Sequence, residues 1–284
     1  MSQKTAEILQ QLEQGVQSLL DSDTYRNYLE FLSKGFHTYS FRNSLLLYTQ
    51  CQQRGITPTL LAPYRQWQKK HRHIKRGEQG LAIFCPHSFK AKKPNSDEEH
   101  EQLGFHIGYT FDVSQTEADD PSGEIPEICH KLTGNLSDET LLDTLVAVSP
   151  VPVRFEPISG GANGFFSIQN SEIVVDNTNS QTQQLKTLIH EQAHAWHYKL
   201  DPDSFSFFGK CPSNEKENEK EIVAEASAYV VANYCNIDSS DYSFGYLANY
   251  SGNDTKSLKN NLDLIRRISD KIISEIELHQ EQQQ

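Results

Sequence analysis

The stretch Thr187-Leu188-Ile189-His190-Glu191-Gln192-Ala193-His194-Ala195-Trp196-His197 constrains this chain most. Leu185, Leu188, Ile189, Ala193 and Trp196 recur at helical spacing and mark a helix with a buried side. On a helix, residues four apart share one face, one turn apart. His190 and His194 can therefore hold one metal ion together, and Glu191 beside them can serve an activated water as general base. Two histidines on a surface helix would spell the same motif. A β-hairpin expected just before it, and a helix with an embedded glutamate expected after it, argue against that.

Catalytic zinc takes three protein ligands and keeps one position open. Zincins completed by a third histidine turn the chain at a glycine after the motif. Here Ala195-Trp196-His197-Tyr198 continues the helix, so the third ligand is sought further on. In Glu221-Ile222-Val223-Ala224-Glu225-Ala226-Ser227-Ala228, Glu225 stands among small and apolar residues. A lone buried carboxylate is costly unless paired or metal-bound. The expected cofactor is thus Zn2+, held by His190, His194 and Glu225. Glu221 follows the charged run 214–220 and is expected in solvent or hydrogen-bonded to a ligand histidine. His197 is expected to be structural. Tyr229, Tyr246 and His197 are candidates for oxyanion stabilisation, with no ground in the sequence to choose among them.

Around the motif, patterning predicts a helix from Ser137 to Val148, a strand over Val151–Phe155, and hairpin strands over Phe165–Ile168 and Ile173–Asp176. The motif helix is predicted over Gln181–Lys199 and a last helix over Asp254–Gln280. Ile173–Asp176 is the candidate edge strand that would take an extended peptide by strand addition.

The first half reads differently. One or two amphipathic helices span 4–32, a short helix follows Ser40 to about Gln53, and Tyr64–Lys70 is helical. Leu81–Pro86 and Phe105–Asp112 read as strands, with a mobile loop over 88–103. The net charge of −12 argues against nucleic acid in general. Its distribution does not: 136–284 is net −11, 1–135 only −1, and 65–93 holds nine basic residues against the single acid Glu78. Such a strip is ordinarily a solvated face with core aromatics beneath it. Basic groups interleaved with aromatics are also what tracks a phosphate backbone and stacks unpaired bases. The candidate nucleic-acid contacts are Tyr39, Arg42, Asn43, Trp67, Lys69, Lys70, Arg72, Lys75 and Arg76.

The acidic Pro/Gly stretch Ala118–Pro126 is the best boundary, which predicts domains over 1–117 and 136–284 joined by a linker over 118–135. Five scattered cysteines without a C-x-x-C pair argue against a disulfide scaffold. Met1–Ser18 lacks the apolar run of a signal peptide, and no segment reaches the apolar length of a membrane span. The expectation is a cytoplasmic protein with free thiols and no membrane partner.

Tyr39-Ser40-Phe41-Arg42-Asn43, Leu45–Leu47, Gln50, Trp67, Lys75-Arg76-Gly77-Glu78-Gln79-Gly80 and Phe111-Asp112-Val113-Ser114-Gln115-Thr116-Glu117 occur in that order. Over about residues 5–117 this resembles the N-terminal domain of the ArdC-type antirestriction family. The second half resembles the ImmA/IrrE and ArdC-type zincin-like domain, in which the glutamate of a later Ala-Glu-Ala or Glu-Ala-Asn segment completes the site; Ala224-Glu225-Ala226 matches. The resemblance implies an α+β chain of two domains, a single-stranded-DNA-binding module followed by a zincin-like metallopeptidase domain. It implies single-stranded DNA and a protein substrate, such as a repressor or a defence protein, as partners. The expected function is a zinc metalloendopeptidase that cleaves a protein in response to DNA. The alternative is an antirestriction-type DNA-binding protein whose metal site is structural or whose peptidase activity is not required.

Overall fold

A computed structural model describes residues 3–92, 99–119, 138–205, 214–239 and 255–283. The chain folds as two compact units. One comprises Met1–Gln17 and Arg42–Cys129, the other Ser18–Phe41 and His130–Gln284. Residues 18–41, expected inside the first domain, thus belong to the second unit. The expected linker lies for the most part outside the described residues.

The first unit contains helices α1 (Gln3–Ser18), α3 (Phe41–Arg54) and α4 (Tyr64–Lys69). Its strands are β1 (Leu61–Ala62), β2 (Arg72–Ile74), β3 (Leu81–Lys92), β4 (Glu99–Asp112) and β5 (Thr116–Ala118). One sheet has the order β1-β4-β3, and β2 pairs separately with β5. β3 and β4 run antiparallel from Leu81 opposite Thr110 to Lys92 opposite Glu99. The loop expected over 88–103 is therefore largely ladder. The sequence there is mostly polar and charged, so little apolar alternation announces the strands.

One face of this ribbon is core: Ala82, with Phe84 and Ile107, packs on Ile8 and Leu46. β3 ends the sheet, and its outer edge is met by side chains of α3. Gln50 donates to the Ala82 carbonyl at 3.0 Å and accepts from its N–H at 2.9 Å. Asn43 does the same for Phe84 at 3.0 and 2.8 Å. Arg54 donates to the Gln79 carbonyl at 2.9 Å. These are the bonds a further strand would otherwise make. Pro86, next in that register, has no N–H to offer.

The short motifs that carry the family resemblance meet in one hydrogen-bond network. Asp112 is fully buried, and its carboxylate accepts from the backbone of Thr59, Leu60 and Ser114 at 2.8, 3.1 and 2.9 Å. Gln115 donates to the Glu78 carboxylate and the Gln79 carbonyl at 2.8 and 2.9 Å. The Lys75 ammonium donates to the Ser114 carbonyl at 2.8 Å, and the Trp67 indole to the Phe111 carbonyl at 3.0 Å. Gly77 takes φ +92°, a conformation that favours glycine.

The second unit contains α2 (Ser22–Ser33), α5 (Asp138–Ala147), α6 (Gln181–Leu200), α7 (Asn214–Tyr234) and α8 (Thr255–Glu281). Strands β6 (Val153–Glu156), β7 (Gly164–Ser167) and β8 (Glu172–Asp176) form a sheet of order β6-β8-β7. β8 is parallel to β6 and antiparallel to β7. Ile173–Asp176 is therefore central, fully paired and buried, and the expectation of an edge strand there is corrected. The edge strand beside α6 is β7. A side chain on Gly164 would come within 2.5 Å of Thr187 Cγ2 and 2.8 Å of the Val174 carbonyl, so only glycine allows so close an approach.

α6 packs against α5 and α7, and α7 against α2 and α8. The α2 face Tyr25, Tyr28, Leu29 and Leu32 is buried, and the Tyr229 hydroxyl donates to Glu30 at 3.0 Å. That packing is why α2 belongs with the second unit. Cys51 and Cys235 are buried free thiols, each pushed up to about 12 by burial, and Cys85 is also free. Cys129 and Cys211 lie outside the described residues. No helix among the described residues is long and apolar enough to cross a membrane.

Candidate metal centre

Ser180 caps α6 by accepting from the Gln183 N–H, and the apolar side of the helix, Leu185, Leu188 and Ile189, is fully buried. This fixes the turn that carries His190 and His194. Their Nε2 atoms stand 3.1 Å apart. Glu221 of α7 reaches both, with Oε2 3.4 Å from His190 Nε2 and Oε1 3.3 Å from His194 Nε2. Among the described residues these three side chains form the one cluster able to hold a metal ion. Bonds of about 2.0–2.1 Å in a tetrahedron put neighbouring donors about 3.3–3.4 Å apart, so the three atoms are spaced for one small cation. Glu225, the expected third ligand, instead stands 3.5 Å from the other nitrogen, His190 Nδ1. Glu221 and Glu225 are one turn apart on α7, and the earlier residue is the one set between the two histidines.

The cluster attracts positive charge. Burial disfavours the charged form of His190, but its hydrogen bonds to Glu221 and Glu225 outweigh this and push the imidazole up to about 10. Hydrogen bonds from His190 and His194 hold the Glu221 carboxyl far below the usual carboxylate range. Two imidazoles and a carboxylate so arranged fit a divalent cation in place of the proton. Glu191, 9% exposed, is buried beside them. Burial raises its pKa, the neighbouring His194 and His190 act against this, and the Phe166 backbone N–H of β7 bonds to it.

A cleft of about 430 Å³ opens along β7 and α6, with Gly164, Lys186, Thr187, His190, Glu191 and Glu225 in its wall. His197 lies beyond it, 3% exposed, with Nε2 3.4 Å from Ser204 Oγ and its ring edge-on to Phe205. Burial pushes it down to about 4. Its ring is thus packed against Ser204 and Phe205. The Tyr229 hydroxyl is turned to Glu30, and Tyr246 lies outside the described residues.

The residues expected to contact DNA divide. Trp67 is fully buried and spent on Phe111, so it offers no stacking face. Asn43 is committed to the edge of β3. Arg72 is buried and donates to Thr116 Oγ1 at 2.8 Å. Lys75 is exposed but tied to Ser114, and Tyr39 belongs to the second unit. Arg42, Lys69, Lys70 and Arg76 are exposed on the first unit. Glu221, expected in solvent or beside a ligand histidine with the third-ligand role as the less favoured alternative, stands between both histidines. Missed by the sequence reading are β7 as the cleft edge and exposed rings on β3 and β4.

Fold and site together define a two-domain α+β protein whose second domain is peptidase-like. Residues 1–113 match the N-terminal domain of the anti-restriction factor ArdC, and residues 147–249 the IrrE N-terminal-like domain of peptidase family M78. The chain thus carries an ArdC-type N-terminal domain followed by an IrrE-like domain. The metal-free crystal structure of the antirestriction ArdC protein from plasmid R388 superposes with a TM-score of 0.54 at 19% identity, covering 86% of this chain and 84% of that one. The Mn(II)-bound structure of that protein superposes at 0.49, with 18% identity and the same coverage. An uncharacterized protein of Bacillus anthracis, pXO2-81, is 23% identical over 259 residues; the match takes in 77% of this chain and 41% of that protein, so the chain spans less than half that relative's length.

Proposed function

We propose that the second unit is a zinc-dependent peptidase and that the first binds single-stranded DNA. The observation that carries the peptidase reading is the convergence of His190, His194 and Glu221 beside a buried Glu191 on an edge-strand cleft. His190, His194 and Glu221 would hold the cation, and Glu225 would fix the His190 ring through Nδ1. When bound, zinc supplies Lewis acidity toward a peptide carbonyl and toward water. β7 pairs with an extended substrate along its free edge and sets the scissile bond against α6. Glu191 accepts the proton of the attacking water, which its raised pKa suits, and passes it to the leaving amine. The DNA half rests on the family of the first domain and on Arg42, Lys69, Lys70 and Arg76 at its surface.

The test is mass spectrometry of host proteins incubated with the zinc-loaded chain, with and without single-stranded DNA, against Glu191→Gln. The variant should keep its zinc and lose cleavage by at least about a hundredfold. Full cleavage by the variant refutes the assignment. The alternative, antirestriction through DNA binding alone, is favoured if Glu191→Gln protects incoming DNA as well as the wild type does.

A further inference from the structure

Beyond Pro86 the β3–β4 ribbon carries ring side chains on the face opposite its core. Strand alternation puts Cys85, His87 and Phe89 of β3 on one face, with His106, Gly104 and Gln102 opposite them on β4. Ala82 and Phe84, on the other face, are the residues packed on Ile8 and Leu46. His87 lies between two rings: its centroid is 5.6 Å from Phe89 and 5.4 Å from His106. All three are exposed, Phe89 at 42%. Gly104 leaves the stripe uncovered between its rings. A side chain there would come within 2.7 Å of the Phe89 ring and 3.1 Å of the His87 ring.

We propose that Phe89, His87 and His106 form a stacking platform for the unpaired bases of a single-stranded nucleic acid. The proposal rests on the DNA reading above and locates it. Flat polar-edged rings at this spacing offer successive π faces, and stacking on them tolerates any base. Charge favours a polyanion. Arg42 is exposed and adjoins Asn43, whose amide grips Phe84, one residue from the stripe. Exposed Arg65, Lys69, Lys70 and Arg76 follow, with no acid among residues 65–76.

The test uses the full chain and a fluorescein-labelled oligothymidylate, read by anisotropy over a salt series. Phe89→Ala and His87→Ala should each weaken binding by on the order of tenfold at every salt concentration, leaving the salt slope unchanged. Lys70→Ala and Arg76→Ala should instead lower the slope. Phe89→Trp should bind as the wild type does, with its indole fluorescence quenched by the oligonucleotide. An abasic oligonucleotide should bind the wild type as weakly as oligothymidylate binds Phe89→Ala. Wild-type binding by Phe89→Ala and His106→Ala, or an unquenched Phe89→Trp, overturns the platform and leaves the DNA reading standing. No binding by the wild type at low salt overturns both.

Discussion

Glu221 and Glu225 divide the work at the centre by which histidine nitrogen each faces. Glu221→Gln should abolish tight zinc binding, whereas Glu225→Gln should lower affinity by about 10–100-fold, as losing a hydrogen bond to a ligand does; competition with a chromophoric chelator separates the two. The sequence placed both glutamates on one helix face. It favoured Glu225 as the ligand because it took that carboxylate as buried, whereas the side chain is 34% exposed and Glu221 is the one that stands between the two histidines. Burial within a helix follows from neighbours on other elements, and α6 was not yet in position. Two histidines respond to pH in opposite directions. His190, raised to about 10, stabilises the metal-free fold fully below about 6.5, and that contribution is lost as pH climbs toward 10. Zinc must displace the same proton, so apparent zinc affinity should rise with pH. His197, lowered to about 4, is buried neutral, and its contribution is present above about 6.5 and lost as pH falls through 4. That loss is roughly 3 kcal/mol. Urea titrations at stepped pH should show it, and His197→Phe should remove it.

Among elements, the helices and the β7–β8 hairpin were legible because their periodicities are local. The position of β8 was not, since its parallel partner β6 lies across a non-adjacent stretch of chain and no local pattern reports that pairing. The outer part of the β3–β4 ribbon was misread for the complementary reason, that its sequence is mostly polar and charged and so reads as a loop. The order of Trp67, Gly77–Gly80 and Asp112–Thr116 is matched by the ArdC N-terminal domain model over 1–113. Those residues meet in the hydrogen-bond network of the first unit, so their spacing reports its fold. Asn43→Ala should cost ~1–3 kcal/mol by leaving the Phe84 N–H and carbonyl without their partner, seen as a lowered midpoint in urea. It should also raise aggregation, because it reopens the edge of β3. Gly164→Ala should cost about 1–3 kcal/mol by forcing β7 off α6, and it should lower peptidase activity more than zinc content.

At the scale of the whole molecule, the distribution of charge is more informative than its sum. An acidic chain has a first unit with exposed Arg42, Lys69, Lys70 and Arg76. If these meet phosphates, log affinity for single strands should fall against log salt with a slope of roughly −3, at about 0.7 per phosphate. What was not legible in the division into units is that residues 18–41 pack with the second, because no local pattern reports a partner helix about two hundred residues further on. A fragment over 136–284 would lack α2 and uncover α7, so it should be less soluble and unfold at lower urea than the same fragment supplied with residues 18–41.

The bond from Tyr229 to Glu30 spans 199 residues, and the first unit's main segment lies between its ends. During synthesis at about 5–20 residues per second, α2 leaves the ribosome on the order of 10–40 s before α7 exists. Over that interval α2 lacks the helix α7 that it packs against, while the segment starting at Arg42 is already free to fold. The nascent chain therefore carries a waiting apolar helix through most of its own translation, and that helix is where a chaperone would find its first foothold.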